Sequence, residues 1–161
     1  MKKGEFFAIF GEIRGENDVI QEKTTKELEH ELSGCASLAH YLTENQECVI
    51  QEQLLSETLG NIMEQKSLRR AAVIKKSGLN DIYVHQILAG KRHPSRNKLL
   101  CLLFGMELDA ECVQRVLKRC GYAPLYAKSR RDSIILFALK NGHTLLQVNE
   151  TLFEYGEEMI S

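Results

Sequence analysis

Apolar residues recur at helical spacing along most of the chain. From about Val49 to Gln65, residues Leu54, Leu55, Leu59, Ile62 and Met63 fall on one stripe and predict a framework helix with a core face. A shorter helix is predicted from about Leu68 to Lys76, with Val73 and Ile74 inward and Arg69, Arg70, Lys75 and Lys76 on wet faces. Gly78 stops it, because a glycine past a helix end takes the left-handed conformation without the penalty of a Cβ. Asn80 is a good N-cap for the next helix, Asp81 to about Leu88, in which Val84, Ile87 and Leu88 fall three and four apart. That spacing leaves Asp81, Ile82, His85 and Gln86 facing elsewhere.

The same pattern continues on both sides of this pair. Downstream, Gly90 ends the second helix, Pro94 fits a turn, and Ser95 caps a helix whose Leu99, Leu100, Leu102 and Leu103 close a core. Asp109 precedes a further helix, about Ala110 to Cys120, with Val113, Val116 and Leu117 inside. The stretch GYAPLYAK, Gly121 to Lys128, is the clearest break in the second half. Ser129 with Asp132 then starts a helix carrying Ile134, Ile135, Phe137, Ala138 and Leu139, which Asn141 and Gly142 end. Thr144 with Gln147 forms a capping box for a last helix through Leu145, Val148, Leu152 and Phe153. Arg130 and Arg131 oppose the helix dipole at the start of this hairpin, and a salt bridge to Asp132 or to the acidic N-terminal region is the expected compensation. Upstream, Phe6, Phe7, Phe10 and Ile13 predict a short helix from about Glu5 to Ile13, followed by a loop from Gly15 to Lys23. An acidic helical segment through Leu28 and Leu32 and a short helix from Ser37 to about Glu44 complete the N-terminal region.

The stretch KSLRRAAVIKKSGLNDIYVHQILAGKRHPS, Lys66 to Ser95, resembles the Cro and lambda-repressor-like helix-turn-helix family, also called the XRE family. Arg70 stands where the family starts its first helix with a phosphate-contacting polar residue, Gly78 at the turn glycine and Leu79 at the turn hydrophobe. Val84 and Ile87 occupy the two apolar positions of the recognition helix, and Gly90, Lys91, Arg92, Pro94 and Ser95 match the GKRxPS ending. Leu108 and Asp109 resemble the hydrophobe and N-cap before the family's fifth helix. The chain departs at Ile74, where the family carries alanine, so the helices there pack more widely or against a smaller residue. It departs also at Asp81, Ile82 and Tyr83, where the family carries small or amide side chains. The resemblance covers residues 51 to 121 and implies an all-α fold: a five-helix lambda-repressor-like core with an N-terminal helical arm, residues 1 to 50, and a C-terminal helical hairpin, residues 122 to 161.

Composition agrees with an all-helical protein: 161 residues, two prolines, few aromatics and long Leu-, Glu-, Lys- and Gln-rich stretches. The net charge of −1 conceals a strong asymmetry. Residues 1 to 65 carry 5 Lys/Arg against 13 Asp/Glu, residues 66 to 98 carry 9 against 1, and residues 99 to 161 carry 7 against 8. A basic block inside a nearly neutral chain is the electrostatic footprint of a polyanion-binding face. The five cysteines are odd in number and lack CxxC or Cys/His ligand spacing, which favours buried free thiols over disulfides or zinc. No run of about 18 apolar residues predicts a membrane span, and a cytoplasmic protein is expected. No nucleophile beside a base, paired carboxylates, phosphate-cradling glycine loop or metal-ligand cluster is present in the sequence, so neither catalysis nor a cofactor is expected.

The resemblance implies a bacterial or phage transcriptional regulator, a repressor that reads double-stranded DNA in the major groove and acts as a homodimer. In that role Gln86 pairs with adenine, Asp81 accepts from cytosine, Ile82 touches a thymine methyl and His85 contacts a base or phosphate. Phosphate contacts are expected from Arg69, Arg70, Asn80, Lys91, Arg92, Arg96 and Lys98. Tyr83 either bonds a phosphate through its hydroxyl or packs in the helix pair. The alternative is a protein-interaction adaptor or antitoxin-like protein on the same fold, with the acidic arm, residues 1 to 50, as the partner surface. The hairpin is either a lid on the core or a dimer interface.

Overall fold

The structure, a computed structural model, describes residues 23–46, 48 and 54–161. The helix expected from Glu5 to Ile13, the loop after it as far as residue 22 and the start of the framework helix at residues 49–53 lie outside the described residues. Every regular element among those described is an α-helix, as the spacing predicts. In chain order they are α1 (Thr25–Gly34), α2 (Leu38–Glu44), α3 (Leu55–Gln65), α4 (Arg70–Ser77), α5 (Asp81–Leu88), α6 (Arg96–Gly105), α7 (Ala110–Arg119), α8 (Arg130–Lys140) and α9 (Leu145–Glu154). The chain divides into two compact units at residues 51 and 52.

The first unit contains α1 and α2. Thr24 and Glu27 form a reciprocal capping box at the start of α1, and Ser37 caps α2. Lys23 Nζ lies 2.8 Å from both Glu31 Oε2 and Asn45 Oδ1, which ties the two helix ends together. Neither helix buries a residue, and Leu32, Leu38 and Leu42 are exposed.

The second unit is built around α6, in which every residue from Leu99 to Gly105 is buried. A helix apolar all round belongs at the centre of a core. Helix α4 packs on α6, α3 on α5, α7 on α8, and α9 on both α8 and α6. Gly105 sets the approach of α4 to α6, because a Cβ there would lie 2.6 Å from the Val73 carbonyl oxygen and 2.9 Å from the Ser77 nitrogen. That close approach is at Val73 and Ser77 and does not involve Ile74. Ile74 itself is only half-buried.

Capping explains where the helices begin. Asn80, Ser95, Asp109, Ser129 and Thr144 each accept a backbone N–H three residues on. Helix α4 starts two residues later than the spacing predicts and has no side-chain cap, its N-cap being Arg69. Helix α7 ends at Arg119, with Cys120 as its C-cap.

Residues 121–128 leave the helical pattern and are still pinned. Gln114 brackets Leu125, accepting its N–H at 2.7 Å and donating to its carbonyl at 2.7 Å, and Leu125 is buried. The C-terminal segment is held likewise, with Asn149 bonding both the N–H and the carbonyl of Ile160 at 2.7 and 2.9 Å. Helices α8 and α9 and this tail belong to the same compact unit as α3 to α7.

Some apolar residues expected in the core lie elsewhere. On the expected core stripe of α3, Leu54 is exposed and Met63 half-buried; in the hairpin, Phe137 and Phe153 are exposed and Ile134 and Leu145 half-buried. No helix of the described residues is long and apolar enough to cross a membrane.

Candidate nucleic-acid interface

Helices α4 and α5 are joined by Gly78, Leu79 and Asn80. Gly78 adopts φ 64°, the left-handed region that a glycine enters without strain. The buried Ser77 hydroxyl donates to the Ile74 carbonyl at 2.9 Å and accepts the Leu79 N–H at 3.3 Å, which fixes the chain on both sides of the glycine. Asn80 accepts from the Tyr83 N–H and so is engaged in starting α5.

Val84 and Ile87 anchor α5 in the core. With that face fixed, Asp81, Ile82 and His85 are exposed and Gln86 is half-buried. Ile82 is 68% exposed, an apolar side chain placed in solvent at the start of the helix. Asp81 and His85 are one turn apart, with Asp81 Oδ1 3.0 Å from His85 Nε2. His85 Nδ1 lies 3.3 Å from Arg70 Nη1. A guanidinium only donates, so Nδ1 accepts from Arg70 and Nε2–H donates to Asp81. The chain Arg70–His85–Asp81 thus links the start of α4 to the exposed face of α5.

The loop after α5 brings further cations to the same side. Gly90, at φ 69°, ends the helix, its N–H donating to the Ile87 carbonyl while the Lys91 N–H donates to Gln86. Arg92 turns back over α5, with Cζ 4.9 Å from the centre of the Tyr83 ring and Nη1 donating to Gln86 Oε1 at 3.3 Å. Lys91 and Arg69 are exposed, and Lys98 is half-buried in the first turn of α6.

Arg96 has a different position from the other expected phosphate contacts. It donates to both carboxylate oxygens of Asp132, at 3.2 and 2.9 Å, and to the carbonyls of Ala123 and Pro124 at 2.9 and 3.2 Å. Its guanidinium is directed into the protein, where it joins α6 to the loop before α8. The bidentate geometry is the stronger form of a charge-assisted pair.

The salt bridges expected for Arg130 and Arg131 are also arranged differently. Asp132 is taken by Arg96, while Arg130 lies 3.7 Å from Glu157 and Arg131 donates to the Glu158 carbonyl and the Asn97 side chain at 2.7 and 3.0 Å.

One anchor of the basic loop has no local signature in the sequence. His93 stacks on Tyr122, with ring centres 5.1 Å apart, and the Tyr122 hydroxyl donates to the Pro94 carbonyl at 2.8 Å. Burial pushes the Tyr122 phenol up to about 12, so it remains a donor through the neutral range.

Cys101, Cys112 and Cys120 are buried free thiols, and burial raises all three, Cys112 to about 11. Among the described residues, no group of three or more His, Cys, Asp or Glu side chains is placed to hold a metal. Compared with protein-family models, curated proteins and solved structures, the chain matches none.

Proposed function

We propose that this chain is a DNA-binding transcriptional repressor rather than an enzyme. In this reading α4 and α5 form the helix-turn-helix of a five-helix lambda-repressor-like core, and α5 enters the major groove. The observation that carries the reading is the junction of the Gly78 turn with an outward face of Asp81, Ile82, His85 and Gln86, flanked by Lys91 and Arg92. A helix in the major groove needs this division, with one face held in the core and short-range chemistry on the other. Ile82 supplies an apolar contact for a thymine methyl, Gln86 an amide for adenine, and Asp81 an acceptor for cytosine.

Phosphate contact falls to Lys91, Arg69, Lys98 and the N-terminal amides of α4, which has no side-chain cap and carries Arg69 and Arg70 at its start. Arg96 leaves that set because Asp132 and two carbonyls occupy it. The exposed Phe137 and Phe153 fit a homodimer contact through the hairpin, which would place half-sites about 10 base pairs apart or at a multiple of that spacing.

The test is binding to a randomised duplex DNA pool at two salt concentrations, comparing the intact protein with Lys91→Glu plus Arg92→Glu. Binding that falls with salt, enriches one motif and is lost in the charge-reversed protein supports the proposal. Failure of the folded intact protein to bind at low salt overturns it. The second reading, a protein-interaction adaptor or antitoxin-like protein, is favoured by one observation: α1 and α2 bury no residue and expose Leu32, Leu38 and Leu42 in an acidic setting. That reading predicts no salt-dependent DNA binding.

A further inference from the structure

We infer that Arg92 is a positioning residue for base recognition, one that fixes which atoms Gln86 presents to the DNA. The inference rests on the proposed DNA-binding function and assigns Arg92 a role other than plain phosphate contact. Tyr83 and Gln86 are three residues apart on α5 and so share a side of the helix. Arg92 bridges them from the loop, its guanidinium over the Tyr83 ring at 4.9 Å and its Nη1 on Gln86 Oε1 at 3.3 Å.

The root of Arg92 is fixed as well. Gly90 turns the chain at φ 69°, and the backbone bond from the Lys91 N–H to the Gln86 carbonyl, 2.9 Å, ties the loop to the residue that Arg92 orients. Beyond Arg92, the His93 ring stacks on Tyr122 and Tyr122 bonds the Pro94 carbonyl. The arginine is therefore held between two anchored residues.

The consequence for Gln86 follows from hydrogen-bond chemistry. A free glutamine amide can rotate by half a turn and exchange its oxygen for its nitrogen. A guanidinium has donors only, so it selects the orientation with Oε1 toward Arg92 and the NH2 group turned away. The cation beside the oxygen also polarises the amide, making its N–H groups stronger donors. Adenine suits this arrangement: its N7 accepts from Nε2–H, and its N6 amine donates to the second lone pair of Oε1. Lysine keeps the charge of Arg92 but lacks the planar fork that stacks on a ring and addresses an amide oxygen at once.

The experiment uses the full chain and a randomised duplex DNA pool, with sequencing of the retained fraction and the salt dependence of affinity measured on the enriched duplex. Wild type, Gln86→Ala, Arg92→Lys and Arg92→Ala are compared, each checked for folding by its thermal unfolding transition. The expected result is a wild-type preference for adenine at one position of the site. Gln86→Ala and Arg92→Lys should each reduce that preference about tenfold, while Arg92→Lys retains the wild-type salt slope. Two results would overturn the inference. In one, Arg92→Lys keeps every base preference while Arg92→Ala weakens all sequences equally and lowers the salt slope by about one, the behaviour of a phosphate contact. In the other, wild type enriches a motif that Gln86→Ala leaves unchanged. Failure of the DNA-binding reading itself looks different, since wild type would then retain no DNA at low salt.

Discussion

Arg92 and Arg96 lie on either side of Ser95 and Pro94, yet they belong to different regions of the molecule. On the α5 side, Lys91 and Arg69 extend into solvent, and Arg92, itself exposed, lies across the half-buried Tyr83 ring. On the α8 side, Arg96 meets a carboxylate and two carbonyls, and Arg131 reaches backbone carbonyls near the C-terminus. Both regions are rich in arginine, but one keeps its charge at the surface and the other uses it to join elements distant in sequence. A count of positive residues does not distinguish them. What separates them is the supply of acceptors, since Asp132 and the carbonyls of residues 123 and 124 together take the Arg96 guanidinium.

The largest effect should come from the contact that supports both regions. Gly105→Ala places a methyl group 2.6 Å from a carbonyl oxygen and 2.8 Å from the Ser77 Cβ, with helix backbone on both sides and no flexible side chain to yield. The expected cost is about 3 kcal/mol, since overpacking a rigid contact exceeds the roughly 1 kcal/mol that alanine gains over glycine in a helix. Denaturant unfolding measures the loss. Because α4 must shift to relieve the clash, the proposed DNA binding should weaken with stability even where the protein remains folded.

Asp132→Ala should separate the two regions. It leaves Arg96 half-buried without its carboxylate and removes the acceptor of the Tyr126 N–H, which lies 3.0 Å from Asp132 Oδ2. Loss of one member of a buried pair costs about 3 to 5 kcal/mol, and the partial exposure of Arg96 lowers the expectation here to about 2 kcal/mol. Urea unfolding should show that loss, while the proposed DNA binding of the folded variant should equal that of wild type. A drop in DNA affinity matching that of the Lys91→Glu, Arg92→Glu protein would show that the two regions are not independent.

How much of this was legible in the sequence follows the range of the interactions. Caps are local: Asn80, Ser95, Asp109, Ser129 and Thr144 each act within three residues, and the helix starts they mark are where the spacing put them. The outward positions of Asp81, Ile82 and His85 were legible for the same reason, since Val84 and Ile87 fix the rotation of a helix only eight residues long. The pairing of Arg96 with Asp132 joins residues 36 positions apart and has no periodicity to reveal it. One signal was available. Arg96 opens α6, where a cation opposes the helix dipole, and an arginine in that place calls for a carboxylate. The close approach at Gly105 and the clamp of Gln114 on Leu125 had no such cue, because each depends on where a distant backbone comes to rest.

The smallest effect should come from alkaline pH, which probes the junction between the regions. Cys112 on α7 is raised from 9.0 to about 11 chiefly by burial, with Asp109 adding to it, and Tyr122 beneath the basic loop is raised from 10.0 to about 12 by burial. Each group holds its proton more tightly folded than unfolded. Their contribution is therefore complete below the unfolded values, declines as pH rises above about 9, and is lost as pH passes through the folded values near 11 and 12. The thermal midpoint should be flat with respect to these two groups from pH 7 to about pH 9 and fall beyond it. Tyr122→Phe keeps the ring against His93 but gives up the hydroxyl's bonds to the Pro94 carbonyl and to His93 Nδ1. It should lower the midpoint slightly at neutral pH and make the alkaline decline shallower. An unchanged alkaline slope in Tyr122→Phe would assign the decline to the thiols.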